Sequence, residues 1–224
     1  MIRPALTIIA AMYITGCGGD SYSEQNLSPE SELGGPPQVD IDFVNTASKS
    51  VDYFVKQTGS ADPLFESATK VATNNDTEMA RHTISWATPT PLMLDIGIWD
   101  TNTQSETGES LEVMLSRSDK LWAIAWVDTD ELVLSTVKQQ PSNQEGKYSV
   151  RIFSHTNTRV QVISTAISSI EAQKGQITPY MTLENCSGEL FFATEAISLC
   201  SLDPGKSYLL VTDGENLLVA AEEK

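Results

Sequence analysis

Lysine and arginine are scarce in this chain, cysteine and histidine scarcer, and no apolar run is long enough to cross a bilayer. Fourteen Lys and Arg stand against thirty Asp and Glu, a formal net charge of −16 over 224 residues. No basic cluster offsets that charge, so phosphate backbones and anionic head groups are repelled and nucleic acid is not expected as a partner. The same acidity also serves plain solubility. The two histidines, His82 and His155, sit in no spacing that a zinc site or a nucleophile and base pair needs. No Gly-x-Ser-x-Gly elbow occurs. Gly205-Lys206-Ser207 imitates the end of a phosphate-binding loop, but Cys200 occupies the place of its first glycine, and a β-turn accounts for the run better. The expectation is a chain without catalytic residues and without a cofactor.

The N-terminus carries what signal there is for location. Arg3 supplies one positive charge, and Ala5 to Ile14 is almost unbroken apolar sequence, well short of the roughly 20 residues a membrane-spanning helix needs. Residues 1–16 therefore read as a signal peptide. Ile14-Thr15-Gly16-Cys17 follows directly, and it resembles the lipobox at which bacterial lipoproteins are cut and acylated on the cysteine. Cleavage near Gly16 as an ordinary secretory peptide is the alternative. Lipid on Cys17, with two or three acyl chains, would anchor the chain stably to a bilayer, where a single chain binds marginally. Residues 17–39 are rich in Gly, Ser, Pro and Glu and are expected to form a flexible tether with a reach on the order of 25 Å. Gly18 rather than Asp follows the cysteine, which favours the outer membrane.

With Cys17 acylated, Cys186 and Cys200 are left as a pair. In an oxidising compartment that count argues for a disulfide, worth about 3 kcal/mol for a loop of about 15 residues. Two ligands of a metal site are the alternative, though no further Cys or His lies nearby to complete a set.

From Asp40 onward apolar residues alternate with period two, the mark of strands with one buried face. Ile41 and Phe43, then Val51, Tyr53 and Val55, then Leu92 to Ile98, then Leu111 to Leu115 follow the rule. Leu121–Val127 is apolar on both sides, like a central strand, and forms a hairpin with Leu132–Val137 across Asp128-Thr-Asp-Glu131. Only residues 62–72 read differently. Asp62 can cap, Pro63 suits a first turn, and Leu64, Phe65, Ala68, Val71 and Ala72 share one helical face, so a short helix is expected there.

The second half repeats the first. Ile41-Asp-Phe43 with Val51-Asp-Tyr53 aligns with Val150-Arg-Ile152 and Val160-Gln-Val162 at an offset of 109, and the closing hairpins align at 85, Ile124 with Leu209. The second copy would thus lack about 24 residues of the middle, the difference between the two offsets. The expected fold is all-β: two tandem immunoglobulin-like antiparallel sandwiches, residues 40–140 and 147–222, joined by a polar segment at 139–146. One larger sandwich is the alternative.

This layout resembles a family of tandem immunoglobulin-like domains of unknown function in bacterial surface lipoproteins. The resemblance is carried by Ile41-Asp-Phe-Val-Asn-Thr-Ala-Ser48 followed by Val51-Asp-Tyr-Phe-Val55, and by Pro204-Gly-Lys-Ser-Tyr208 before an aromatic strand. In the second copy Ser154 stands where the family's asparagine would. The resemblance implies a fold and a location, and no activity.

Three features bear on ligands. Asp100-Thr-Asn102-Thr-Gln104 spaces oxygen ligands as a calcium loop does, but Ser105 and Leu111 replace the required glycine and glutamate. Asp128, Asp130 and Glu131 crowd carboxylates, which hairpin turns favour for backbone reasons alone; no metal is expected at either. Trp99 shares a strand face with Asp95, opposite Leu94, Ile96 and Ile98, which makes it the candidate contact for a partner or a glycan; the alternative is edge packing. Two readings follow: a noncatalytic envelope protein serving structure, adhesion or protein interaction, or a lipoprotein that captures a glycan or cation.

Overall fold

The computed structural model describes residues 35–88, 90–102, 108–164 and 167–224. Cys17, the expected signal peptide and the tether up to residue 34 lie outside them. Residues 35–224 form one compact unit. Among the described residues the protein is all-β, with sixteen strands in four sheets and no helix. The strands are β1 (Gln38–Asn45), β2 (Val51–Gln57), β3 (Lys70–Asn74), β4 (Met79–Ser85), β5 (Leu92–Asp100), β6 (Glu109–Leu115), β7 (Lys120–Asp128) and β8 (Glu131–Lys138) in the first half. The second half holds β9 (Tyr148–Ser154), β10 (Thr158–Ile163), β11 (Ile167–Ala172), β12 (Met181–Leu183), β13 (Leu190–Phe192), β14 (Glu195–Ile197), β15 (Ser207–Thr212) and β16 (Leu217–Glu223).

Each half is a two-sheet sandwich. The first pairs a β4-β1-β7-β8 sheet with a β3-β2-β5-β6 sheet, and the second pairs β12-β9-β15-β16 with β11-β10-β13-β14. Adding eight to every strand number turns one arrangement into the other, so the repeat read in the sequence is a repeat of topology. Pairing is antiparallel except where β1 meets β7 and β9 meets β15. The second copy keeps all eight strands and shortens the middle ones: β12, β13 and β14 have three residues each.

Register corrects one detail of the repeat. Thr46 N–H donates to the Ala125 carbonyl as His155 N–H donates to that of Thr212, which places Ala125 opposite Thr212 at an offset of 87 rather than 85. A slip of two residues leaves every side chain on its original face, so alternation does not register it.

The expected helix at 62–72 is absent. The Thr69 hydroxyl donates to the carbonyl oxygens of Leu64 and Glu66, the competition with helical bonding typical of Thr. Ala72 is taken into the ladder with Tyr53. Instead the segment folds back over the outer face of its sheet and lays Phe65 against Phe54 and Trp99. Gly97 and Gly108 make room for it: a Cβ on either would stand 2.7 or 2.4 Å from the Phe65 ring.

Three apolar clusters hold the body together. One fills the first sandwich around Ile41, Phe43, Tyr53, Ile96 and Leu121, and the second fills the other around Val150, Ile152, Val160, Phe192 and Leu210. The third joins the two halves: Val44, Trp122, Ile124 and Trp126 of the first meet Phe153, Leu209, Val211 and Val219 of the second. Four sheets therefore stack in order, and the central strands of the two inner ones, β7 and β15, are buried on both faces, which explains why Leu121–Val127 is apolar at every position. The disulfide Cys186–Cys200 is formed, and it staples the loops flanking β13 and β14.

Candidate interaction surfaces

The halves meet through equivalent positions. Thr46 and His155 are 109 residues apart, the repeat offset, and their side chains bond to each other at 3.0 Å. His155 stacks on Trp126 with centroids 5.4 Å apart, and Trp126 meets Phe153 edge-on. Burial among these groups lowers the His155 pKa, against the opposing pull of Asp213 and Asp76. Gly175, at φ +68°, passes so close to Trp126 that a Cβ would stand 3.0 Å from its ring. Asp128 pairs with Lys174 across the same end of the junction.

The other end is polar and buried. Arg151, 5% exposed, donates through Nε and Nη2 to Glu223, 1% exposed, at 2.9 and 2.5 Å, and also to the Lys138 carbonyl. Glu223 further accepts from Gln140 N–H and from the Tyr180 hydroxyl. Burial and this bond to Glu223 raise the Tyr180 pKa, and Arg151 lies 5.1 Å over the Tyr180 ring. At the matching place in the first half, Arg81 grips Asp42 bidentately at 2.7 and 2.9 Å, and Gln139 donates to Asp42. The connecting segment, expected to be a plain polar linker, thus contributes Gln139 and Gln140 to the lock. Of the two pairs only Arg151–Glu223 is buried on both sides, and there the cost of desolvating the charges offsets much of their attraction.

The residues singled out in the sequence fall as follows. Trp99 is half-buried, with Phe54 and Phe65 at 6.0 Å from its ring, so much of the surface expected to meet a partner is covered by the chain itself. Asp128 bonds Thr129 and Lys174, and Thr129 and Asp130 take φ of 48° and 72°, the two left-handed positions of a tight hairpin turn. Asp100 pairs with Lys49 at 3.1 Å and accepts from Asn102 N–H, while residues 103–107 of that loop lie outside the described residues. Among the described residues no group of three or more His, Cys, Asp or Glu is arranged to hold a metal ion. Gly205 sits at φ +88° in the turn before β15, as the β-turn reading requires. Asn45 gives its motif a physical role: it donates to Lys49 and Asn74 carbonyls and accepts from Ala47 N–H, organising the turn after β1. Ser154 takes over with a shorter reach, bonding Thr158 and Thr156.

Two clefts flank edge strand β4, and sequence reading found neither. One, of about 180 Å³, opens on the inner side of the sheet between Val55, His82, Ile84, Trp86, Leu92 and Leu94. The other, of about 370 Å³, lies on the outer side at the junction of the halves, against Met79, Arg81, Trp122 and Ala221. Met79 is 52% exposed there.

These features define a tandem β-sandwich body with a locked junction and an open sheet edge. No protein-family model matches the chain, and no curated protein matches it significantly.

Proposed function

We propose that the chain is a noncatalytic lipoprotein of the bacterial cell envelope, anchored through acylated Cys17 in the outer membrane, with a structural, adhesive or protein-binding role. It is akin to the tandem immunoglobulin-like domains of surface lipoproteins that its strand motifs resemble. The observation that carries this reading is the distribution of cysteine. Two of three are joined in the folded body, in keeping with an oxidising compartment, and the third stands in a lipobox-like run after an apolar leader. Glycan or cation capture has weaker support, since the ring of Trp99 is engaged by Phe54 and Phe65.

The test is expression in a diderm bacterium fed a labelled palmitate, followed by mass spectrometry of the N-terminus and membrane fractionation. Label on the wild type, absent from Cys17→Ala, with the protein in the outer-membrane fraction, is the expected result. An unacylated thiol at residue 17 or an intact Met1 overturns the assignment.

A further inference from the structure

β4 is the one long edge of its sheet that lies beside both clefts, and half of its backbone is unused. Its antiparallel ladder with β1 pairs Ala80 with Phe43, His82 with Ile41 and Ile84 with Val39. The flanking bonds, Asn45 N–H to Glu78 and Trp86 N–H to Pro37, set the phase, so those three residues spend their N–H and C=O groups inward. Met79, Arg81, Thr83 and Ser85 then turn theirs outward, and among the described residues none of those groups has a backbone partner.

Natural edges are usually blunted by brevity, proline, bulges or charge. β4 runs seven residues without proline or bulge. Its single formal charge, Arg81, is drawn aside onto Asp42. The matching edge of the second half is closed off: β12 has three residues and follows Pro179. The two halves thus differ at this edge, although they share every strand.

The side chains of an added strand alternate between the two faces of the sheet, and the two clefts lie on opposite faces. His82 and Ile84 line the inner one, Met79 and Arg81 the outer one. Each has an apolar wall, Leu92 and Leu94 in one and Trp122 and Ala221 in the other. Free main-chain groups that give affinity, together with pockets for alternate side chains that give selectivity, are the requirements of strand addition. We propose that β4 is a strand-addition site: an extended segment of another polypeptide pairs with its free edge and sets apolar side chains, an odd number of residues apart, into the two clefts. This rests on the protein-binding reading above and gives it a place and a mode.

A phage-displayed library of random decapeptides panned on the purified full-length chain supplies the probe, and fluorescence anisotropy measures the enriched peptides. Thr83→Pro removes an outward N–H and obstructs the edge; His82→Trp fills the inner cleft from the face of β4 that lines it. Peptides with large apolar residues at odd spacing are expected to be enriched, to bind at least tenfold more weakly to either variant, and to protect the Arg81 and Thr83 amides from hydrogen exchange. Should Thr83→Pro prove misfolded by its melting curve, His82→Trp and the exchange pattern decide. Peptides that bind both variants as well as wild type overturn the site while leaving protein binding elsewhere intact. A library without binders overturns it too. A wild-type dimer that Thr83→Pro makes monomeric overturns this occupant in favour of a second copy. Palmitate labelling is independent of all these results, so failure of the envelope assignment is read separately.

Discussion

Replacing Arg151 by Met is the sharpest probe of the junction. Met matches the aliphatic stem but deletes both bonds to Glu223 and the one to the Lys138 carbonyl. Glu223 remains, 1% exposed, with only Gln140 N–H and the Tyr180 hydroxyl as donors. A buried carboxylate stripped of its cation costs about 3–5 kcal/mol, a large fraction of the 5–15 kcal/mol that ordinarily separates folded from unfolded domains. Guanidinium denaturation followed by both far-UV circular dichroism and tryptophan fluorescence reads the loss. All four tryptophans lie in the first half and two of them, Trp122 and Trp126, face the second, so fluorescence reports the junction directly. The double variant Arg151→Met, Glu223→Met should be less destabilised than the sum of its single changes, because no charge is left unpaired. A cost below about 1 kcal/mol for Arg151→Met, or strict additivity in the cycle, would refute the view that this pair is buried and mutually dependent.

Three further outcomes are expected. His155 has its pKa lowered by burial, and His82 likewise; the unfolded chain therefore takes up protons first, and stability present above pH 6.5 is lost as pH falls from there toward the depressed folded values. Melting temperatures between pH 7.5 and 5 should fall accordingly, and His155→Gln should flatten that slope without abolishing it; an unchanged slope contradicts the placement of His155. Phe65→Ala uncovers Trp99 and Phe54 and should cost about 2–3 kcal/mol, below the roughly 3–5 kcal/mol of a fully buried aromatic truncation because Phe65 is only half-buried, with a red-shifted tryptophan emission; no shift would mean the ring cover is not held in solution. Removing the disulfide with Cys186→Ser and Cys200→Ser together should lower stability by about 3 kcal/mol in chemical denaturation, and an unaltered midpoint would show that the loop is held by other contacts.

Much of this architecture was legible in the chain, and what was not has identifiable causes. Period-two alternation marked β1, β2, β5 and β6, while β7 showed as an unbroken apolar run and β8 as its partner across a hairpin turn. β12, β13 and β14 are too short for two periods, so the offsets showed that the middle of the second half is shortened but not that all its strands are kept. The hairpin offset erred by two residues, the one error alternation cannot detect. The helix expected at 62–72 failed because side chains four apart suit a chain folded over a sheet as well as a helix, and Thr69 bonds tipped the balance. The disulfide followed from counting. Of the junction, only the doubly apolar Leu121–Val127 gave a hint; Arg151 sits in an apolar run and Glu223 in an acidic tail, and nothing local pairs them across 72 residues. The β4 edge left no mark, since its openness is a property of what fails to pack beside it.

The face shared by the two inner sheets has a practical corollary. A protease that cuts the connection around residues 140–147 would nick the chain without releasing either piece, because separation would bare Trp122, Trp126 and Phe153 to water and strand Arg151 away from its Lys138 anchor. Each half expressed alone would display that greasy face unpartnered, inviting self-pairing or precipitation. The indivisible working piece is thus the whole body from Gly35 to Lys224, and the covalent join between its halves matters more for their synthesis than for their cohesion.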